Sequence, residues 1–349
     1  MLTSETKPVC HYSNELRAII WNKNDSGYFD QAVARNLQWI SGPICNDLLD
    51  CIECIFSEIV RGNEFLLRTV LVFTGTDCGS WKRRHNTESN KQTILDKGNK
   101  NFLANQFKNF IGYKKKVLEV GCGTGQLSNY FAIGTNNKIV GLDPTITSLN
   151  LANDFANKNK ITNIKFVHAD IFDDVLVDNV FDFIWTNGVL HHTKSPYEAF
   201  KILIKSLKKD GYVLVGLYNK LGRIRTVFRR YIYKVFGRKI IQKIDPTLRN
   251  LKFNENEINA WIKDQYDHPL ESLHTIDEVL NWFKNNNIEF ISSIPSSDYD
   301  YDYKNIFEKK SSGSFFSRII NQFFMIFNSL GSDGGLFVLI GKKKWYWIY

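Results

Sequence analysis

Residues 117–128, VLEVGCGTGQLS, place an apolar run, an acid and three glycines ahead of a helical pattern. Glycines permit a positive φ and let a ligand approach the backbone, and N–H groups at a helix start favour an anionic ligand group. The spacing Gly121, Gly123, Gly125 is G-x-G-x-G. A dinucleotide loop wants a third glycine where Gln126 stands, and hydride transfer has no need of Glu119 two positions before the first glycine. Further candidate groups follow at the ends of later apolar runs. Asp143 lies twenty residues after Gly123, a separation that suits an acid accepting both hydroxyls of a ribose diol. It also suits a cap on a helix starting near Thr145, and the two roles are compatible. Asp170, in VHADI, could accept from an exocyclic amine while Ile171 packs on a base face; the alternative is a plain turn aspartate. The run Trp185–Thr193 (WTNGVLHHT) supplies Asn187 and the pair His191 and His192. Histidine is suited to accept a hydroxyl proton near neutral pH, and His268 and His274 are further candidates in a later segment. No spacing among the histidines demands a metal.

Elements to hold these groups follow from the pattern of short apolar runs alternating with helical periodicity from about residue 102. Strands are expected at 116–120, 138–142, 164–168, 181–186 and 211–218, with helices at 126–133, 146–158 and near 196–208. The runs are apolar on both sides, as buried parallel strands are, and βα alternation predicts a mostly parallel sheet with helices on both faces. Thr275 and Glu278 have the spacing of a capping box for a helix ending near Asn285. Two further strands, 288–294 and 336–342, would pair as an antiparallel edge and bring the sheet to seven. Between them, the apolar segment 315–330 has helical spacing and is expected to bury against the sheet.

Glu119 with its glycine loop, Asp143, Asp170 and the Asn187–Thr193 run, each at a successive strand end, together resemble class I S-adenosylmethionine-dependent methyltransferases. The resemblance is strong over about 102–218 and extends over 219–349 as insertion and closing strands. It implies an α/β, Rossmann-like seven-stranded sheet of order 3-2-1-4-5-7-6 with a helical insertion. It implies that S-adenosylmethionine is the cofactor. Glu119, Gly121 and Gly123 would then shape the methionine end of the site, with Cys122 beside it. Asp143 would hold the ribose hydroxyls between Leu142 and Pro144. Asp170 would accept from the adenine amine, Ile171 would pack on the ring, and Asn187 would face the methionine moiety or the substrate mouth. The GVLHHT form resembles the branch that methylates small molecules, and no Asn-Pro-Pro-Tyr follows the fourth strand. The runs 216–222, 264–271 and 331–335 also look like one bacterial-type subgroup of this architecture.

The expected activity is methyl transfer to a small-molecule acceptor at oxygen or carbon. Alternatives are an RNA methylase, a non-catalytic S-adenosylmethionine-binding module and, disfavoured by Glu119 and Gln126, a nicotinamide oxidoreductase. Methyl transfer relies largely on alignment, so it does not require a general base, although His191, His192 or His268 could serve as one.

The chain has 349 residues, 43% of them hydrophobic and 23% charged, which is globular composition. No apolar run is long enough to span a bilayer, the first residues have no secretory pattern, and six scattered cysteines read as reduced thiols of a cytoplasmic protein. Cys51-x-x-Cys54 stands alone amid helically spaced Leu48, Ile52, Ile55, Phe56 and Ile59, and reads as a helix with two semi-buried thiols. Segments 1–95 (an extension with a helix near 46–60, a strand-like run 66–73 and a polar linker 86–101) and 96–349 (with insertions 219–274 and 295–334) divide the chain. The net charge of +9 is concentrated in residues 220–249, which hold ten basic residues and one acid, Asp245. Interleaved with Phe228, Tyr231, Tyr233 and Phe236, this segment suits an anionic acceptor, an anionic membrane surface or a nucleic-acid backbone. The plain alternative is a helix whose aromatic side packs on the core.

Overall fold

The structure, a computed structural model, describes residues 90–250, 254–267, 270–300, 302–326 and 335–344. The features expected around Cys51 and Cys54 and over 46–60 and 66–73, together with His11, His85, His268 and residues 331–334, lie outside them.

Five strands run parallel: β1 (Lys116–Val120), β2 (Lys138–Asp143), β3 (Ile164–His168), β4 (Phe181–Asn187) and β5 (Leu207–Tyr218). β6 (Ile288–Ile294) and β7 (Leu336–Lys343) complete the sheet, β7 lying antiparallel between β5 and β6, in the order 3-2-1-4-5-7-6. Side chains alternate across this sheet. Val117, Ile139, Phe183, Trp185, Leu214 and Val338 enter one core, and Leu118, Leu142, Ile184, Val213, Val215 and Leu339 enter the other. The expected strand at 211–218 begins earlier, at Leu207, with Asp210 at φ 60° in the added stretch.

The first core is covered by α1 (Lys91–Lys100), α2 (Phe102–Ile111), α3 (Gln126–Ala132) and α4 (Ile146–Lys158). The stretch expected to be linker is thus largely helix. Asn90 caps α1 by accepting from Thr93 N–H, Ile94 is buried, and Gly98 leaves room for the Tyr130 ring. A Cβ at Gly98 would sit 2.1 Å from that ring. Two apolar residues and a glycine hole give no periodicity to read. The second core is covered by α5 (Pro196–Ser206) and, beyond the insertion, α10 (Ile276–Asn285).

The insertion holds α6 (Ile224–Phe236), α7 (Arg238–Ile244), α8 (Pro246–Asn250) and α9 (Glu255–Gln265), around a small core of Ile241, Leu248, Trp261, Ile262 and Tyr266. Its hub is Asp245, the single acid of the basic segment. Asp245 accepts from Trp261 Nε1 at 3.0 Å, from Thr247 N–H at 2.7 Å and from the Tyr266 hydroxyl. Burial first, and the adjacent Asp245 carboxylate second, push the Tyr266 phenol above its ordinary range.

One expectation and one alternative reading of helix faces are overturned. Phe228, Tyr231 and Phe236 of the basic segment point outward; Tyr233 packs beside Tyr266. In α11 (Phe315–Phe324) the polar residues Ser317, Asn321 and Gln322 are buried, and Phe315, Phe316, Ile319, Ile320, Phe323 and Phe324 are exposed. The surface beneath α11 is polar: Gln322 Oε1 accepts from Asn219 Nδ2 at 2.7 Å and from Ile276 N–H at 2.9 Å, and Ser317 Oγ donates to the Ser297 carbonyl. Buried polar groups must find partners, and that requirement turns the helix.

Candidate active site

Parallel register brings the strand ends to one edge of the sheet. Glu119 pairs with Gly141 and Trp185, Asp143 with His168, and Asn187 with Gly216. Groups far apart in sequence therefore lie along one edge, at the carboxyl ends of the strands where open α/β sheets take ligands.

The loop after β1 is a tight reversal whose glycines are each required. Gly121, Gly123 and Gly125 adopt φ of 67°, 53° and 70°, a region costly for residues with a Cβ. A Cβ on Gly121 would lie 2.5 Å from Val189, and one on Gly125 would lie 2.6 Å from Phe166. The loop N–H groups expected to face an anionic ligand are largely used within the chain. Gly121 and Cys122 N–H both donate to the Leu142 carbonyl (2.7 and 3.1 Å), Gly125 N–H donates to the Cys122 carbonyl, and Gly123 N–H donates to Asp143 Oδ2 at 2.7 Å. The loop is a self-satisfied cradle, sewn to β2. Glu119, buried beneath it, accepts from the Ser128 hydroxyl in the first turn of α3.

Asp143 ties the glycine loop to the residue that precedes α4. Oδ1 accepts from Thr145 N–H at 2.9 Å, just before α4, while Oδ2 holds the loop. Each carboxylate oxygen has two lone-pair directions, so one on each still suits a diol. Pro144 is exposed beside it, and its carbonyl accepts from His168 Nε2. The Leu142 side chain is buried in the second core, and its carbonyl serves the loop. Asp170 is exposed and forms the turn that was the simpler reading, Oδ1 accepting from Phe172 N–H at 2.9 Å; Ile171 is buried next to it. The Cys122 thiol is buried, its sulfur packed over Gly141.

Asn187 ends β4 with its amide laid across β5. A Cβ on Gly216 would lie 1.7 Å from Asn187 Oδ1, so only glycine admits this pose. Oδ1 is buried and has no hydrogen-bond partner within the described residues. An unsatisfied buried carbonyl beside a glycine cradle asks for a donor from outside the chain.

A short 3-10 turn, Leu190–His192, follows. His191 is fully buried, its ring 4.0 Å from Tyr218 and 4.2 Å from His192. His192 is partly exposed, and its Nδ1 lies 3.0 Å from the Leu270 carbonyl. A carbonyl only accepts, so His192 Nδ1 donates to it. His274 is structural: Nδ1 meets Glu278 Oε1 at 2.9 Å and Nε2 meets Ser272 Oγ at 2.7 Å. The expected capping box at Thr275 is half formed, because Thr275 accepts from Glu278 N–H while the Glu278 carboxylate turns to His274.

Sequence reasoning missed the clamp around the end of β5. The Arg223 guanidinium lies 3.9 Å over the Tyr218 ring, fully buried, and pairs with Glu271 at 3.3 Å and Gln265 at 3.0 Å. Arg230 meets the same Glu271 at 2.5 Å. Burial alone would raise the Glu271 carboxyl; the Arg230 hydrogen bond and the charges of Arg223 and Arg230 outweigh it and hold the group below its ordinary value. Ser272 N–H and Oγ both donate to the His191 carbonyl, and His274 N–H donates to the Tyr218 carbonyl. The insertion is thereby strapped to the turn that carries His191 and His192 and to the end of β5. Arginines inside a basic run gave no sign of which would be buried.

This sheet order, with a glycine cradle and acids at successive strand ends, defines a class I S-adenosylmethionine-dependent methyltransferase domain. Residues 111–287, half of the chain, match the model of a methyltransferase domain family, and the chain belongs to that family. It is similar to phosphoethanolamine N-methyltransferase 1 of Zea mays, 28% identical over 53% of this chain and 36% of the relative. It is also similar to a ubiquinone biosynthesis O-methyltransferase of Glaesserella parasuis, 27% identical over 38% of this chain and 56% of the relative. The chain thus spans about a third to a half of the length of these curated relatives. Among solved structures, PKMT2 from Rickettsia typhi in complex with AdoHcy aligns with a TM-score of 0.48 at 14% identity, over 69% of this chain and 52% of that one.

The residues present fit the cofactor of the class. The glycines of the cradle let a ligand approach the backbone, Asp143 retains acceptor directions, and Asn187 Oδ1 is an acceptor awaiting a donor. Bound there, S-adenosylmethionine supplies an activated sulfonium methyl group.

Proposed function

We propose that this protein transfers a methyl group from S-adenosylmethionine to a small-molecule acceptor of the kind handled by the GVLHHT branch, at oxygen or carbon. The observation that carries the reading is the strand-end array in which Asn187 Oδ1, buried and unsatisfied, lies beside the glycine cradle and Asp143. Within it, Glu119, Gly121, Cys122 and Gly123 shape one end of the cofactor site, Asp143 and Pro144 the ribose, Asp170 and Ile171 the adenine, and Asn187 the methionine amino group. His192, partly exposed after β4, is the better placed base for an acceptor hydroxyl, while buried His191 packs against Tyr218. The names of the relatives support a small-molecule acceptor, and the one from maize is named for an acceptor that carries a phosphate. An anionic acceptor is consistent with the basic stretch that begins at Lys220.

Calorimetric titration with S-adenosylmethionine and with NADH tests the cofactor, and a tritiated-methyl screen of small-molecule extracts tests the transfer. The expected result is S-adenosylmethionine binding that Asp143→Ala weakens by about 1–3 kcal/mol, and label in a small-molecule fraction. Tight NADH binding with no S-adenosylmethionine binding would overturn the reading. Label appearing only in RNA would replace the acceptor class. His192→Gln should lower turnover by roughly 100-fold or more with cofactor affinity unchanged; unchanged turnover removes it as the base.

A further inference from the structure

α6 and α11 expose apolar faces where soluble domains ordinarily present polar ones. On α6, Ile224, Val227, Phe228, Tyr231 and Val235 are exposed at a helical stripe spacing, and Phe236 ends it. On α11 the six outward residues are all Phe or Ile. Single exposed apolar residues are ordinary; two whole helix faces form a patch that marks an interaction site. The helices adjoin: a Cβ on Gly222, just before α6, would lie 3.1 Å from Met325, just after α11.

The surrounding charge says what covers them. Of the ten basic residues in 220–249, Arg223 and Arg230 are paired with Glu271 and Arg238 with Glu255. Lys220, Lys234, Lys239, Lys243 and Arg249 are exposed. Apolar faces flanked by flexible cations are the composition of interfacial helices, which bury their apolar side among acyl chains and set cations among headgroups. No helix of the described residues is long and apolar enough to cross a membrane, so the geometry suits lying on a bilayer. Residues 1–89 carry eleven acids against nine basic residues, too even a balance to match this charge. A nucleic-acid backbone would need a cation near each phosphate, and on α11 the one cation, Arg318, is bound to Asp277.

We propose that the exposed faces of α6 and α11 are a docking surface for an anionic phospholipid membrane. The surface adjoins the active-site edge through Asn219, which follows β5 and hydrogen-bonds Gln322 of α11.

Sedimentation of the full chain with sucrose-loaded vesicles tests this, using phosphatidylcholine alone and phosphatidylcholine mixed with phosphatidylserine. Partition onto the phosphatidylserine vesicles should be at least about tenfold stronger and should weaken with added salt. Phe316→Ser with Phe323→Ser should cut partition by roughly tenfold or more on both vesicle types. Lys234→Gln, Lys239→Gln and Lys243→Gln together should do so on the anionic vesicles alone. No partition of the unaltered chain onto phosphatidylserine vesicles overturns the proposal. So does partition that neither set of changes affects. Retention on poly(U) without vesicle binding would assign the surface to nucleic acid, and a concentration-dependent mass abolished by the Phe316 and Phe323 changes, again without vesicle binding, would assign it to a second copy of the chain. Titration of each variant with S-adenosylmethionine verifies the fold and keeps this outcome separate from that of methyl transfer. Should the phenylalanine variant fail to fold, the lysine variant and the salt dependence still decide.

Discussion

α10 and α11 are both ten residues long and both amphipathic, yet they face opposite ways. α10 buries Ile276, Val279, Trp282 and Phe283 against the sheet. α11 buries Ser317, Asn321 and Gln322 and leaves its phenylalanines and isoleucines outside. The difference lies in the ground beneath each helix. Under α10 are apolar side chains of β6, β7 and α5. Under α11 are Asn219, the Ile276 N–H and the Ser297 carbonyl, all in need of partners. An amphipathic pattern states that a helix has two faces; the neighbouring surface decides which one goes in.

The largest effect should come from the face that α10 buries. Phe283 is 1% exposed and stacks on Phe200 at 5.8 Å. Phe283→Ala should cost about 3–5 kcal/mol through lost burial and a residual cavity, read as a lowered midpoint in urea unfolding. A cost under about 1 kcal/mol would deny that this face is a close-packed core.

The insertion offers a polar seat of a different kind. Glu271 and Arg223 are a buried pair, and removing one partner leaves an uncompensated charge. Glu271→Gln should cost about 3–5 kcal/mol. It should also change the pH dependence. The Glu271 carboxyl is held below its ordinary value of 4.5 when folded. Its contribution is therefore present above pH 4.5 and lost as pH falls through the lower folded value. Unfolding followed from neutral pH downward should show that loss in the unaltered chain and a shallower one in Glu271→Gln. Parallel curves would remove the clamp from the account.

How much of this was legible follows the same division. Strand ends were readable to within a residue or two for β1 to β4, because apolar runs bounded by glycine and acid leave few alternatives. With them came the positions of Glu119, the loop, Asp143, Asp170 and Asn187 along one edge. Their sheet order was read from a resemblance to a family, since periodicity gives no order. The place of Asp143 beside the loop was legible because residue type and distance from Gly123 are local facts. The buried state of Arg223 and the hub role of Asp245 depend on contacts with residues 16 to 48 positions away, and a charge run looks the same whether solvated or clamped. α1 was missed because Gly98 makes room for Tyr130, a contact no helical pattern records. α11 was read as a helix and turned the wrong way round, since the polarity of its seat is a tertiary fact.

A smaller effect should come from the inward polar face of α11. Gln322→Ala removes the acceptor for Asn219 Nδ2 and Ile276 N–H, and should cost about 1–3 kcal/mol. Gln322→Leu, which keeps the bulk, should cost a similar amount, because the loss is of hydrogen bonds and not of volume. If leucine restores stability, the polar seat does not orient the helix.

The smallest effect is the one that most sharpens the contrast. Phe316 is 75% exposed on α11, so Phe316→Ser removes an aromatic ring of the same type as Phe283 from a helix of the same length. In solution without vesicles it should change stability by no more than about 0.5 kcal/mol. A loss of several kcal/mol would mean that this face is covered in the folded chain, and both the inverted orientation and the docking surface built on it would fall. A near-zero change in unfolding together with lost vesicle partition would separate a residue kept for folding from one kept for contact.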